Sequence, residues 1–437
     1  MKTTYLLYLT LILLLTVSPA RAGDMELAVR SGRLSLDQVT TVVLASNPAL
    51  KAAEKKWQAM KARVPQAAAW EDLRAQGMSR VQRYVSIPPN AFMDQTFALQ
   101  QEVPITGKNI SRARAATAEA GAAFEDLRRT QLDVISRTRI AFYRLANEYA
   151  QLEVNRRNVE LLNQFAKISR DRYEVGNAAQ ADVLTAETDA AKLSETESDI
   201  LRRISDAQTA LNVLMNRPPQ SPLAEPGPFA FEPIRFSLPQ LQAMALAARP
   251  EVQRAQSRVE AEKFRVQLAN RQWVPDPTVN VQAQRYNQAN EAVSELDVGV
   301  SIPLPFLNGR KYTAAATEAA RNLESAQHEQ ESTRTETLGL VRDQLTKLTT
   351  VAHHYELYRD KIVPLARQSV QSNRTAYETS SANFLALITA QRVLQDAEST
   401  ALNHLADYEI ARAELNAIVG IEHPLARETL QTRRQSK

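Results

Sequence analysis

Between Ala122 and Val175 the chain holds neither glycine nor proline, and its apolar residues Ile135, Phe142, Leu145, Tyr149, Leu152 and Val159 advance by threes, fours and sevens. A period near seven belongs to a helix that packs one face against other helices along its whole length. Begun at about residue 108, such a helix would be on the order of 100 Å long at 1.5 Å per residue, far more than one globular domain uses. The run stops at Gly176, inside "RYEVGNAAQADVL" (172–184), and the helical pattern resumes from Ala179 to Met215. Glycine suits the left-handed position that ends a helix, so this stretch is expected to be the tip of a long helical hairpin.

The plan is written twice. "LSLDQVTTVVLASNPAL" (34–50) and "FSLPQLQAMALAARPEV" (236–252) match at Ser35/Ser237, Leu36/Leu238, Gln38/Gln240, Leu44/Leu246, Ala45/Ala247 and Pro48/Pro250. Trp70 corresponds to Trp273, and Leu211-Asn212 to Leu415-Asn416. The seam of the first long helix reappears as Leu338, Leu345, Leu348, Ala352, Tyr355 and Ile362. Two structural repeats follow, expected over 23–216 and 236–420, with a short tail at 421–437. Between them, 217–235 holds six of the chain's 20 prolines and reads as a stiff, extended connector. Each repeat reads as two shorter helices, two strand candidates, a very long helix, a break and a second long helix. Pro364 falls inside the third long helix, where it marks either a hinge or a static bend.

The strand candidates alternate. "PTVNVQAQR" sets Val279, Val281 and Ala283 against Asn280, Gln282 and Gln284; "SELDVGVSIPL" sets Leu296, Val298, Val300 and Ile302 against Asp297, Gly299 and Ser301. In the first repeat "DQTFALQQEVP" offers Phe97, Leu99 and Val103, while Leu73 to Val85 carries the weakest pattern. Such alternation fits a transmembrane barrel strand or a half-buried soluble sheet. The membrane reading gains from its company. Residues 1–22 have the basic start, apolar stretch and Ala20-Arg21-Ala22 ending of a signal peptide. No later segment is long and apolar enough for a spanning helix, and Trp70 and Trp273 stand at the helix-to-strand junctions, where interfacial aromatics belong. Four strands cannot close a barrel, since the smallest have about eight, and an open edge in lipid leaves backbone groups unpaired. The chain is therefore expected to oligomerise.

Composition narrows the function classes. Without Lys2 and Arg21 of the leader the formal charge falls from +4 to +2, which points to no nucleic acid and no acidic substrate. Absence of cysteine excludes disulfides, thiol catalysis and thiolate metal sites. Of the five histidines, His353 and His354 are adjacent and point about 100° apart on a helix, so surface positions are expected and no metal site. "PITGKN" lacks the glycine spacing of a phosphate loop; Gly107-Lys108 reads as a turn from strand into helix. Carboxylates such as Glu187 and Asp189 read as a solvated helix face, and no catalytic motif or cofactor signature appears. The competing class is a cell-envelope coiled-coil protein such as an adhesin, which accounts for the heptads and leader but not for the strands or the duplication.

The duplicated halves, the "RYEVG...ADVLTAE" tip and the "ITGK" and "NGRK" strand exits resemble the TolC family of outer-membrane efflux proteins, from about residue 34 to 420. The resemblance implies a mainly α fold with a small β part. Three chains would form a 12-stranded transmembrane β-barrel continued by a periplasmic α-barrel, sitting in outer-membrane lipid and docked on a periplasmic adaptor and an inner-membrane pump. "QWVPDPTVNV", "SIPLPFLNGRK" and "YRDKIVPLARQSV" look like the heavy-metal branch, whose pumps are of the resistance-nodulation-division type. It implies adaptor contacts at Tyr173, Val175, Gly176 and Asn177 in the first tip and Tyr377, Thr379, Ser380 and Ser381 in the second, which has no glycine. In some relatives acidic residues narrow the entrance one turn into the returning helix of the second hairpin, where this chain has Ala386 and Thr389; the acid that matches here is Asp182 of the first hairpin, backed by Glu187. A ring of Asp182 carboxylates would favour cations, whereas Asp182 read locally starts a helix. Lipoprotein relatives need a cysteine where this leader has Ala22-Gly23, so the barrel alone is expected to hold the protein in the membrane.

Overall fold

The computed structural model describes residues 32–79, 95–288, 291–379 and 383–421. The expected leader, Ser380 and Ser381 of the second tip, the strand candidate beyond Ser79 and the tail beyond Ile421 lie outside the described residues. The first repeat comprises α1 (Leu36–Ser46), α2 (Pro48–Ala68), β1 (Arg74–Ser79), β2 (Gln95–Glu102), α3 (Lys108–Glu174) and α4 (Gln180–Leu214). The second comprises α5 (Leu238–Ala248), α6 (Pro250–Arg271), β3 (Thr278–Gln288), β4 (Glu291–Ser301), a 3₁₀ turn at Pro305–Asn308, α7 (Gly309–Leu357), α8 (Val363–Glu378) and α9 (Phe384–Val419).

The matches between the repeats turn out to be helix punctuation. Before α1 the Ser35 N–H donates to Gln38 Oε1 (3.1 Å) and the Gln38 N–H to Ser35 Oγ (3.2 Å), a capping box. Before α5 the Ser237 N–H donates to Gln240 Oε1 at 2.9 Å. Pro48 and Pro250 then open α2 and α6 at the position where a missing N–H costs nothing. Both repeats also end alike. Arg217 N–H bonds Asn212 O (2.9 Å) beyond Asn216 at φ 55°, and Ile421 N–H bonds Asn416 O (2.9 Å) beyond Gly420 at φ 81°. These six-to-one bonds around a left-handed residue close the last helical turn.

One difference between the repeats is an inserted residue. The seam residues pair at an offset of 203 as far as Val159/Ile362, but Tyr173/Tyr377 pair at 204. The step therefore falls between Ile362 and Tyr377, and the irregularity beside it is the π turn at Tyr358–Ile362, between α7 and α8. A π turn is how one extra residue fits into a helix without rotating its flanks. Pro364, the second residue of α8, follows directly, where the wider turn relieves the clash between a proline ring and the carbonyl four residues earlier.

The described chain divides into two compact units, neither of which is one repeat. The first contains 32–42, 141–231 and 360–406; the second contains 43–140, 232–359 and 407–421. The first has its core where the two hairpins meet, around Leu162, Phe165, Ala186, Leu193, Tyr377, Phe384, Leu387 and Ile388. Each such large apolar side chain contributes about 1.5–3 kcal/mol by leaving water. The connector runs extended here, with Leu34 N–H on Glu225 O (2.8 Å) and Gly227 N–H on Leu34 O (3.1 Å). In the second unit Trp57 packs on Ala123, Leu127 and the Phe124 ring, whose centroid is 5.2 Å away. This unit also holds the sheet, which is antiparallel throughout in the order β1-β2-β3-β4.

Candidate functional site

Two places carry the features expected of function: the hairpin ends in the first unit and the sheet with its helix junctions in the second. At the first tip, Gly176 adopts φ +78°. Its N–H bonds Tyr173 O (2.9 Å), and the Asn177 N–H bonds Arg172 O (2.8 Å). This pair of bonds ends α3 as the sequence expects and leaves Tyr173, Val175 and Asn177 exposed, Val175 by 69%.

The second tip is built differently. Tyr377 is not a surface residue: it is 5% exposed, its ring lies 5.4 Å from that of Phe384, and its hydroxyl is 3.2 Å from Ser169 Oγ. Thr379 is exposed and ends α8 at φ −90° and ψ 9°, without a left-handed residue. In place of a glycine cap, Arg172 of the first hairpin stacks its guanidinium on the Tyr377 ring at 4.8 Å and donates to the carbonyls of Tyr377 (2.6 Å) and Glu378 (3.1 Å). A cation on the last carbonyls satisfies acceptors that α8 cannot satisfy itself. Sequence reasoning missed Arg172, because its partners lie about 205 residues away.

Asp182 lies half-buried in the first turn of α4, whose preceding residue Ala179 supplies no side-chain cap, so its carboxylate is what complements the helix N-terminus. Glu187 does not back it as a free charge, since it is ion-paired with Arg170 of α3. Nor is Asp189 on a solvated face. It is 7% exposed and accepts two hydrogen bonds of 2.9 Å from Arg392 of α9. Glu398, 8% exposed, is held in the same manner by Arg157 (2.9 Å) and Arg367 (2.7 Å). Buried carboxylates need such partners; the Asp189–Arg392 and Glu398–Arg157 pairs fasten one hairpin to the other, while Arg367 ties Glu398 within the second.

In the second unit, Asp276 organises the strand-to-helix turns. The Thr106 N–H and hydroxyl donate to its Oδ1 at 3.0 and 2.7 Å, and Lys108 Nζ lies 3.1 Å from its Oδ2. Burial opposes the charge of Asp276, but the Thr106 hydrogen bonds and Lys108 outweigh it and hold the carboxyl below its ordinary range. Gly107, at φ +68°, makes the turn and Lys108 starts α3, so "ITGK" serves the turn.

The register separates the two faces of the sheet. Phe97, Ala283 and Leu296 form one row and Leu99, Val281 and Val298 the next; between them, Ala98, Gln282 and Asp297 point to the other face. The apolar face is the more open one: Leu296 is 71% exposed, Val298 70%, Val300 62% and Phe97 55%. A soluble sheet buries such a face. β1 departs from the pattern, with Ala75 and Gly77 on the apolar side and Met78 on the polar side. Trp70 and Trp273 are both exposed just ahead of β1 and β3, and the Trp273 ring packs 5.3 Å from that of Tyr312. No helix among the described residues is long and apolar enough to cross a membrane. No cluster of metal-binding side chains occurs among them, and His353 and His354 are exposed.

Comparison with known proteins agrees with this arrangement. At 23% identity over 335 residues, the chain is similar to the cobalt-zinc-cadmium resistance protein CzcC of Cupriavidus metallidurans, over 75% of this chain and 77% of that one. Its fold is similar to that of VceC, an outer membrane protein of Vibrio cholerae, with a TM-score of 0.73, 21% identity and coverage of 88% and 96% of the two chains. The outer membrane channel CmeC of Campylobacter jejuni gives a TM-score of 0.74 at 15% identity, over 92% and 89%. The pattern of outer membrane efflux proteins matches twice, at residues 40–217 and 241–421, so both halves of the duplication carry it and the chain belongs to the outer membrane efflux protein family.

Proposed function

We propose that three copies of this chain join their sheets into a 12-stranded barrel in the outer membrane, continued in the periplasm by their long helices. The assembly passively conducts solutes delivered by a periplasmic adaptor and an inner-membrane pump of the resistance-nodulation-division type. The observation that carries this reading is the sheet: among the described residues, four strands with β1 and β4 at its two edges and an apolar face open to its surroundings, which is stable in lipid only when closed by further copies. The exposed first tip, with Val175 at its apex, is the adaptor contact. An adhesin or fibre has no use for such a sheet, and family membership gives that reading no support.

The likeness to CzcC favours metal cations as the exported solute. Three Asp182 side chains at the mouth would add a preference for cations, with Glu187 nearby neutralised by Arg170 and Glu378 by Arg374. Purified protein in a planar bilayer is expected to give unitary conductance steps, and Asp182→Lys to lower the preference for potassium over chloride. Steps with unchanged selectivity remove the role of Asp182, whereas no steps at all remove the conduit. Deleting the gene is expected to raise sensitivity to cobalt, zinc or cadmium; sensitivity to organic compounds alone would remove the metal assignment.

A further inference from the structure

We infer that a polar cleft between the two hairpins binds an N-acetylated amino sugar, the repeating unit of a cell-wall glycan. The cleft belongs to the helices of one chain; only the source of the sugar rests on the periplasmic placement proposed above, which sets the helices in the same compartment as the wall. It measures about 260 Å³ and lies in the first unit, with α3 as its floor and α4 and α9 as its walls. A spacing of four turns one face of each helix into it, with Gln151 and Asn155 on α3, Thr196 and Ile200 on α4, and Gln395 and Ser399 on α9. Amides set deep in a helical layer pack less favourably than apolar side chains, so the polar groups that they leave unused call for a partner.

The unused groups have a definite chemistry. Gln151 is saturated: its Nε2 donates to Ser399 O (2.9 Å) and Asn403 Oδ1 (3.0 Å), and its Oε1 accepts from Ser399 Oγ (2.9 Å). Asn155, 5% exposed, donates to Leu193 O at 3.0 Å and keeps its Oδ1 without a partner among the described residues. Asn403 uses its Oδ1 on Asn147 and Gln151, which leaves its amide N–H groups as donors. Gln395 makes no side-chain hydrogen bond among the described residues. The charges are already closed, with Arg203 Nε on Glu148 Oε2 at 2.8 Å, so a metal cation finds no unpaired carboxylate here and an uncharged ligand is favoured. A nearly buried acceptor, free amide donors and the apolar side chains of Val154 and Ile200 match the three parts of an acetamido group: its N–H, its carbonyl and its methyl. The hydroxyls of Thr196 and Ser399 already donate, to Lys192 O and Gln151 Oε1, and so accept from the hydroxyls of a sugar.

The full chain, extracted in mild detergent, is titrated with oligomers of N-acetylglucosamine, of glucosamine and of glucose. Saturable binding of the N-acetylated oligomer alone is expected. Gln395→Ala, which removes a side chain without hydrogen-bond partners, should weaken that binding by about three- to tenfold and leave the melting temperature unchanged. Asn155→Leu should abolish binding where it folds, and Gln395→Ala decides alone where it does not. No binding of the N-acetylated oligomer, equal binding of the glucose oligomer, or an unchanged affinity in Gln395→Ala overturns the site. Isolated cell-wall sacculi separate the wall from free sugar as the source: co-sedimentation that weakens in Gln395→Ala supports the wall glycan, and oligomer binding without co-sedimentation overturns it. Channel conductance is measured apart from all of these, so loss of the cleft leaves the conduit standing and loss of the conduit leaves the oligomer titration valid.

Discussion

Two glycines separate the demands that a backbone can make. Gly176 needs its left-handed φ but has open space around it, whereas an added Cβ at Gly420 would lie 2.9 Å from the Ala248 backbone. Gly176→Ala is therefore expected to cost only the left-handed strain, about 1–2 kcal/mol, and to act locally. Hydrogen exchange at the Gly176 and Asn177 amides should quicken several-fold while the melting temperature of the whole protein stays unchanged. Gly420→Ala adds a backbone clash and is expected to lower the melting temperature of the whole protein. Asp276 contributes in a pH-dependent way. Its folded-state pKa is depressed, so its contribution is fully present above its unfolded value of 3.8 and is lost as pH falls through the lower folded value. Asp276→Asn is expected to cost about 1–3 kcal/mol at neutral pH and to flatten the acid limb of a stability-against-pH curve below about pH 4. A limb unchanged by the substitution would remove this role. Gly176 was legible in the sequence because its constraint is local; Gly420 was not, since the Ala248 backbone that crowds it lies far along the chain. Arg172 and Asp276 were not, since a hydrogen bond spanning 170 or more residues leaves no local trace.

Among the elements, the long helices were legible because a sustained seven-residue period has no other stable reading, and Leu145 and Leu348, one from each repeat, are fully buried as that period requires. Three of the four strands show their faces in alternation; β1 does not, and only its pairing with β2 identifies it. The π turn was hidden as well, visible only as the step in offset from 203 to 204 between the repeats. If that turn is one inserted residue, its removal restores a continuous α-helix with both flanks in phase. A chain lacking Lys361 and carrying Pro364→Ala is expected to fold and assemble, whereas deletion of Gln371, within α8, should rotate Tyr377 out of its core by about 100° and abolish assembly. Gel mobility of unheated samples distinguishes the two. Equal loss of assembly in both would show that the π turn is not where the insertion is absorbed.

For the whole molecule, the sequence shows the duplication, yet among the described residues a single chain leaves the sheet open and its apolar face uncovered. Closure is a property of several copies, and no periodicity within one chain encodes the number. Three is the number proposed, from the family resemblance together with the four strands described in each copy. The direct measurement is native mass spectrometry of the protein extracted from outer membranes in mild detergent. The expected result is a single species with the mass of three mature chains. A stable single chain, folded and soluble without detergent, would contradict the account.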